Sequence, residues 1–283
     1  MPSPQSLVAA ATGMTLPALG FGTGGNMVEE CAEAVLAALR AGYRNIDTAR
    51  KYGTEPGVGE AIRASGLPRD DIFVITKVSH EDLHAKDFER STETSLRVLG
   101  LEFVDLLMVH WPLPDMPFQE TMGALAAMKR RGLARHIGVA NFNAAMLDDA
   151  IRLCDEPLSA LQVEYHPFLD QSKMLDACRR HGLAFISYCP LARGRVFDEP
   201  VLADIASARG KTISQIVLRW LIQQTPVVAI PSSSNPARIR ENLDIFDFTL
   251  TEGEMRRVHA LARPNGRIVN PKGRAPEWDA RVA

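Results

Sequence analysis

Four side chains stand where a proton could be handed to an oxygen. Asp47 and Tyr52 both lie in the segment Ile46-Asp47-Thr48-Ala49-Arg50-Lys51-Tyr52, while Lys77 and His110 follow the apolar runs Ile72–Thr76 and Val104–Val109. A phenol titrates near 10 in water and is a weak acid at neutral pH, unless a cation close by favours its phenolate. Lys77 can be that cation, and Asp47 can hold Lys77 charged and oriented. His110, followed by Trp111, can hydrogen-bond an incoming oxygen. Such a set is suited to protonating an oxygen that is gaining negative charge.

The elements that must bring these groups together repeat along the chain. Strand-like runs occur at Ala18–Phe21, Arg44–Ile46, Ile72–Thr76, Val104–Val109, His136–Val139, Ala160–Val163, Ala184–Ser187 and Val227–Ile230. Amphipathic helical patterns lie between them. One runs from Val28 through Leu39 with Gly42 as its stop, one ends before Gly100, and Thr212-x-x-Gln215 opens another with a capping box. The interval before the last run holds two helical patterns, Val201–Ala208 and Ile213–Gln223. Eight βα units with right-handed crossovers predict a (β/α)8 TIM barrel whose strand C-terminal ends share one face. On that face the polar residues Asp47, Lys77, His110, Asn141, Gln162, Tyr188 and Ser232 would converge. Any one of them alone could be a strand terminator, but seven converging groups make an active-site rim. Leu7–Ala11 and Met14–Leu16 around Thr12-Gly13 predict an N-terminal β-hairpin that could plug the opposite end.

Length would allow two domains of roughly 150 residues, yet α/β barrels of roughly 250 residues commonly form one. No linker composition interrupts the series, so residues 1–283 are expected to form a single domain. With 32 Lys+Arg against 34 Asp+Glu, the net charge of −2 leaves no basic block for nucleic acid or a membrane surface. The four cysteines are far apart and read as buried thiols in a reducing compartment. No Lys or Arg precedes Arg40, so a signal peptide lacks its basic region, and a cytoplasmic location is expected.

Two motifs point elsewhere. Gly20-Phe21-Gly22-Thr23-Gly24-Gly25 matches G-x-G-x-x-G after a strand, with Asp47 ending the next one, as an open dinucleotide-binding fold would require. Against that fold, Asn26 and Met27 intervene before the helical pattern, so the third glycine falls outside the helix turn. His80-Glu81-Asp82-Leu83-His84 is a literal H-E-x-x-H, which on a helix would suggest a zinc hydrolase. It follows a strand directly and precedes the next helical pattern, so a polar loop without metal is expected.

Taken together, the motifs resemble a known family. Asp47-Thr48-Ala49-x-x-Tyr52, Thr76-Lys77, Val109-His110-Trp111-Pro112, Gly138-Val139-x-Asn141-Phe142, Gln162-Val163-Glu164-Tyr165-His166-Pro167, Ile230-Pro231-x-Ser233 and Arg238-Ile239-x-Glu241-Asn242 are similar, in order, to those of the aldo-keto reductases. The likeness extends to the bacterial 2,5-diketo-D-gluconate reductase group, whose B-type members the tail Arg267-Ile268-Val269-x-Pro271 and Ala275-Pro276-Glu277-Trp278-Asp279 resembles. The resemblance implies a barrel that binds NADPH (NADP+) in preference to NADH across its C-terminal face. It implies Tyr52 as general acid, Lys77 and Asp47 as its tuners, and His110 as the group orienting a small carbonyl substrate. Tyr188 would stack on the nicotinamide, Asn141 and Gln162 would bind its carboxamide, and Gly22 and Thr23 would lie against that half. Leu191 would lie near the pyrophosphate, Ser232, Ser233 and Arg238 around the 2′-phosphate, and Glu241 and Asn242 near the adenine. Trp111 would either wall the substrate pocket or pack in the core, and the tail, residues 263–283, would lie near the active-site face.

Three positions depart from the pattern. Ala140 stands where the family usually has serine, which removes a cofactor hydrogen bond. Gly24 replaces an aromatic residue and leaves a pocket wall missing, and Ser232 replaces a lysine at the phosphate site. The expected activity is reduction of aldehydes and ketones, keto-sugar acids among them, by hydride transfer. The alternative is a weakly catalytic, cofactor-sensing barrel subunit, against which the intact set Asp47, Tyr52, Lys77 and His110 argues.

Overall fold

The computed structural model describes residues 5–25 and 28–278, and the eight expected runs are eight parallel strands in chain order. They are β3 (Phe21–Gly22), β4 (Asn45–Asp47), β5 (Phe73–Val78), β6 (Val104–Val109), β7 (Ala134–Ala140), β8 (Ala160–Glu164), β9 (Ala184–Tyr188) and β10 (Val227–Ala229). Leu19 bridges Ala229 in parallel, and Gly22 N–H donates to Pro231 O at 2.9 Å, so first and last strands meet and the sheet closes as a (β/α)8 barrel. The strands are mostly apolar because both of their faces are covered, with polar residues such as Asp47, Lys77, Gln162 and Glu164 near their C-terminal ends.

Helices return the chain between strands. They are α1 (Cys31–Ala41), α2 (Glu55–Ser65), α3 (Ala85–Leu99), α4 (Phe118–Arg130), α5 (Ala144–Leu153) and α6 (Ser172–His181). The interval from β9 to β10 holds α7 (Pro200–Arg209) and α8 (Ile213–Ile222), as its length predicts, and α9 (Pro236–Leu243) and α10 (Glu252–His259) follow β10. The capping box at Thr212 and Gln215 is formed, and Gly42 ends α1 with φ 115°. One boundary differs from the expectation: α1 starts at Cys31, and Val28 lies in a turn with 55% of its surface exposed. Its apolar side chain fits the period yet precedes the first residue that packs on the barrel. No helix among the described residues is long and apolar enough to cross a membrane.

The apolar residues form two bodies. The larger lies between sheet and helices, where α2 approaches α3 so closely that a Cβ on Gly59 would lie 2.2 Å from Leu99 O. The smaller fills the barrel interior: Ile75, Leu106, Met108, Ala160, Ala184, Ile186 and Val228 pack with Ala9, Met14 and Leu16. Those last three belong to the antiparallel hairpin β1 (Ser6–Ala9) and β2 (Met14–Pro17), which therefore plugs the barrel as expected. Ala11 N–H to Gly182 O at 2.9 Å and Thr12 to Ser159 at 3.0 Å tie it down.

Candidate active site

At the C-terminal ends of the strands the four chemical groups meet. Lys77, wholly buried at the end of β5, donates to Asp47 Oδ1 at 2.7 Å and to Thr48 O at 2.8 Å. The other Asp47 oxygen accepts from Gln162 Nε2 at 2.8 Å, so three strands share one carboxylate. Tyr52 closes a short 3-10 turn, Arg50–Tyr52, after β4. Its hydroxyl is 3.3 Å from His110 Nε2, and the Lys77 ammonium lies 5.2 Å from its ring centre. The turn is held from below by hydroxyls: Thr54 bonds both Thr23 and Thr48 at 2.9 Å, and Thr23 also donates to Asp47 O. A second chain of bonds fixes the far wall. Tyr188 donates to Asn141 Oδ1 at 2.7 Å, and Asn141 Nδ2 donates to His110 O at 2.8 Å.

Burial sets the protonation states. It is the main reason that the Tyr52 phenol is pushed above its ordinary value, with the Asp47 charge adding to the effect. Lys77 directs donors to Asp47 and Thr48, and its ammonium stands beside the Tyr52 ring. Burial also pushes Lys77 down, opposed by the attraction of Asp47. His110 is held well below the usual imidazole range by burial and then by Lys77, so at neutral pH it is an uncharged ring. The site thus presents a protonated phenol beside a neutral imidazole.

These groups floor a cavity of about 420 Å³ lined by Asp47, Tyr52, His110, Trp111, Asn141, Gln162 and Tyr188. Gly24 lines it too, with its α-carbon against Tyr52: a Cβ there would lie 3.3 Å from the phenol Cζ. A second cavity, of about 370 Å³, shares Cys189 and Arg193 with the first and continues past Leu191, Ser232, Ser233, Arg238 and Asn242. Together they form one elongated groove. Asn235 caps α9 beside it, accepting from Ala237 and Arg238 N–H, so the first turn of that helix is already satisfied.

Of the residues expected on sequence grounds, most border this groove. Gly22 and Thr23 do not line either cavity. Gly22 is glycine because a Cβ would lie 2.9 Å from Ile230 O at the seam of the barrel, and the Thr23 hydroxyl is used in the thread of hydroxyls below Tyr52. Glu241 accepts from the Thr212 hydroxyl at 2.9 Å and likewise lines neither cavity. Ala140 is buried at the end of β7. Ser232 stands in the second cavity rather than the central cluster. His80 and His84 lie in a loop, where His84 meets Glu120 and Glu81 meets Lys51, and no group of metal-binding residues occurs among the described residues. The cysteines are unpaired, but only Cys31 and Cys178 are buried; Cys154 and Cys189 are half-buried.

Lys51, Arg193, Val269 and Arg274 also line the first cavity and were not singled out from sequence. Arg193 gave no signal because it depends on a left-handed backbone (φ 52°). Val269 and Arg274 belong to the tail; Asn26, Met27 and residues 279–283 lie outside the described residues.

Comparison with known proteins places these features in context. A model of the Aldo/keto reductase family matches residues 18–263. An aldo-keto reductase of Mycolicibacterium vanbaalenii is 42% identical over 87% of this chain and 88% of its own. A crystal structure provisionally named a 2,5-diketo-D-gluconic acid reductase B superposes with a TM-score of 0.95 at 47% identity, covering 98% of both chains. An aldo-keto reductase of Bombyx mori, solved in complex with NADP, superposes with a TM-score of 0.87 at 30% identity over 96% of both chains.

Proposed function

The chain belongs to the aldo/keto reductase family of NAD(P)H-dependent oxidoreductases, and on that premise we propose that it reduces small aldehydes and ketones with NADPH, Tyr52 serving as the proton donor. The observation that carries this reading is the pair Tyr52 and His110, 3.3 Å apart at the floor of a cavity, over the buried Lys77–Asp47 pair.

The groove fits the cofactor. Its first cavity offers two side-chain amides and a phenol, and its second offers a guanidinium and hydroxyls suited to phosphate. Asn141, Gln162 and Tyr188 would hold the nicotinamide end; Leu191 would lie along the middle; Ser232, Ser233, Arg238 and Asn242 would hold the adenosine 2′-phosphate end. The bound dihydronicotinamide supplies a hydride to the carbonyl carbon.

The protein's part is to receive the negative charge that then grows on oxygen. An oxygen seated between the Tyr52 hydroxyl and His110 Nε2 accepts a hydrogen bond from each, provided the imidazole proton sits on Nε2. As charge develops, the alkoxide becomes a stronger base than a phenolate, and the Tyr52 proton moves to it. The phenolate left behind faces Lys77, and Asp47 holds that cation in place. A buried phenol keeps its proton at neutral pH, which is the form a donor needs.

Arg193 and Arg274 support an acidic carbonyl compound, such as a keto-sugar acid, as substrate. Asp47 is the acidic group lining the first cavity, and it is already engaged by Lys77 and Gln162. Lys51 is paired outward with Glu81. The test is NADPH absorbance followed with the purified protein against aldehydes, ketones and keto acids. Oxidation of NADPH with matching alcohol is expected; NADPH binding without turnover across the panel would overturn the reading.

A further inference from the structure

Glu164, at the end of β8, is a fully buried carboxylate that none of the steps above uses. It lies two residues beyond Gln162 and so on the same face of the strand. Its Oε1 accepts from Ile268 N–H at 2.6 Å and from His166 Nε2 at 2.9 Å, and its Oε2 accepts from Val269 N–H at 2.7 Å. Arg267 Nη1 is 4.0 Å from the same Oε2. A buried charge is costly unless its lone pairs are met, and here two consecutive backbone N–H groups from the far end of the chain meet them.

The segment so held is also the wall of the substrate cavity. The tail enters tightly: Arg263 N–H donates to Phe168 O, and a Cβ on Gly266 would lie 1.7 Å from that oxygen, so only glycine passes there. Beyond the carboxylate it folds back on itself. Arg267 stacks 3.6 Å over Trp278, Trp278 donates to Asn270 Oδ1 at 2.8 Å, and Asn143 holds Glu277 O at 2.9 Å. Trp278 then meets Trp111 edge to face, with ring centres 6.3 Å apart, while Val269 and Arg274 reach the cavity.

We propose that Glu164 is a positioning residue for substrate: its carboxylate latches the backbone of Ile268 and Val269 to the rim of the barrel and so fixes the wall formed by Val269 and Arg274, with Trp278 behind it against Trp111. An amide cannot replace it. An ionised carboxylate accepts at both oxygens, whereas glutamine would turn an NH₂ toward one of the N–H donors. The burden falls on substrate binding rather than on the chemical step, because the latch touches neither Tyr52 nor His110.

The test compares the parent with Glu164→Gln and with Ile268→Pro, which removes one donor from the tail side and leaves the barrel interior untouched. Trypsin reports the tail through Lys272 and Arg274. Both variants should be cut there faster than the parent, and KM for the carbonyl substrate should rise roughly tenfold, the scale of one charged hydrogen bond lost, with kcat and the NADPH Kd nearly unchanged. Parent-like cleavage and KM in both variants would overturn the proposal, as would a higher KM in Glu164→Gln without faster cleavage. Should Glu164→Gln fail to fold, Ile268→Pro decides. The kinetic arm rests on the carbonyl reading and the cleavage arm does not: a parent that oxidises no NADPH refutes that reading, and the cleavage rates then decide the latch.

Discussion

Tyr52 carries a proton whose value depends on where it can go. Removing only that hydroxyl, in Tyr52→Phe, should lower turnover by roughly 10²–10⁴-fold, the usual worth of a general acid, and leave the NADPH Kd close to the parent's. Single-turnover and equilibrium binding measurements check this; turnover within a few-fold of the parent would assign the proton to another group. The pH dependence follows from the directions of the shifts. His110 is held below the imidazole range, so its charged form appears only on going below that range; Tyr52 is held above the phenol range, so its proton is lost only above it. Neither group should therefore give reduction a limb between about 6.5 and about 10, their ordinary values, and a basic limb there would belong to Lys77, which burial lowers. A limb inside that window that vanishes in His110→Gln would show an imidazole titrating normally. Gly24 belongs to the same scale. A Cβ there would lie 3.3 Å from the phenol Cζ, so a larger side chain would press on the proton donor.

Secondary-structure elements divide the labour between the two ends of the barrel. The hairpin β1–β2 fills the end away from the site, and Leu16 there has no exposed surface. Leu16→Ala should cost about 2–4 kcal/mol of stability by opening a cavity, while kcat stays near the parent's, because side chains at that end of the barrel serve packing rather than chemistry. Denaturant unfolding and turnover on one preparation check the pair; equal loss of both would mean that the plug also sets the strand ends. This end of the molecule was legible in sequence because a two-residue period and a Thr12-Gly13 turn are local signals. So were the strands, each a short apolar run closed by a polar residue, and Asp47, Lys77 and His110 were legible for the same reason. The start of α1 was not, since Val28 fits the helical period yet lies in a turn with more than half its surface exposed. Nor was the bond from Glu164 to Ile268 and Val269, which joins residues more than 100 positions apart through a backbone that no side-chain pattern marks. Arg193 was hidden in a similar way, by a positive φ in a residue other than glycine.

At the scale of the whole molecule a nearly neutral chain, with a net charge of −2, leaves selectivity for an anionic cofactor to local placement. The cations of the second cavity are Arg193, at the junction with the first cavity, and Arg238. The first turn of α9 adds little there, because Asn235 already accepts from Ala237 and Arg238 N–H. Ser232 and Ser233 contribute neutral hydroxyls, and Ser232 is turned toward Gly24 O at 3.5 Å. On the proposed reading, Arg238 is the group by which a 2′-phosphate would be told from a 2′-hydroxyl, through charge-assisted bonds that the hydroxyl cannot match. Arg238→Ala should weaken NADPH binding by about 1.5–3 kcal/mol and NADH binding hardly at all. The loss should shrink as salt is raised, since the side chain is exposed and its attraction is screened over about 8–10 Å at ordinary ionic strength. Dissociation constants for both cofactors at two salt concentrations, in parent and variant, separate the outcomes. Equal losses for NADPH and NADH would make Arg238 a structural residue of α9, and a parent without preference would show that two hydroxyls and one exposed cation do not suffice to read the phosphate.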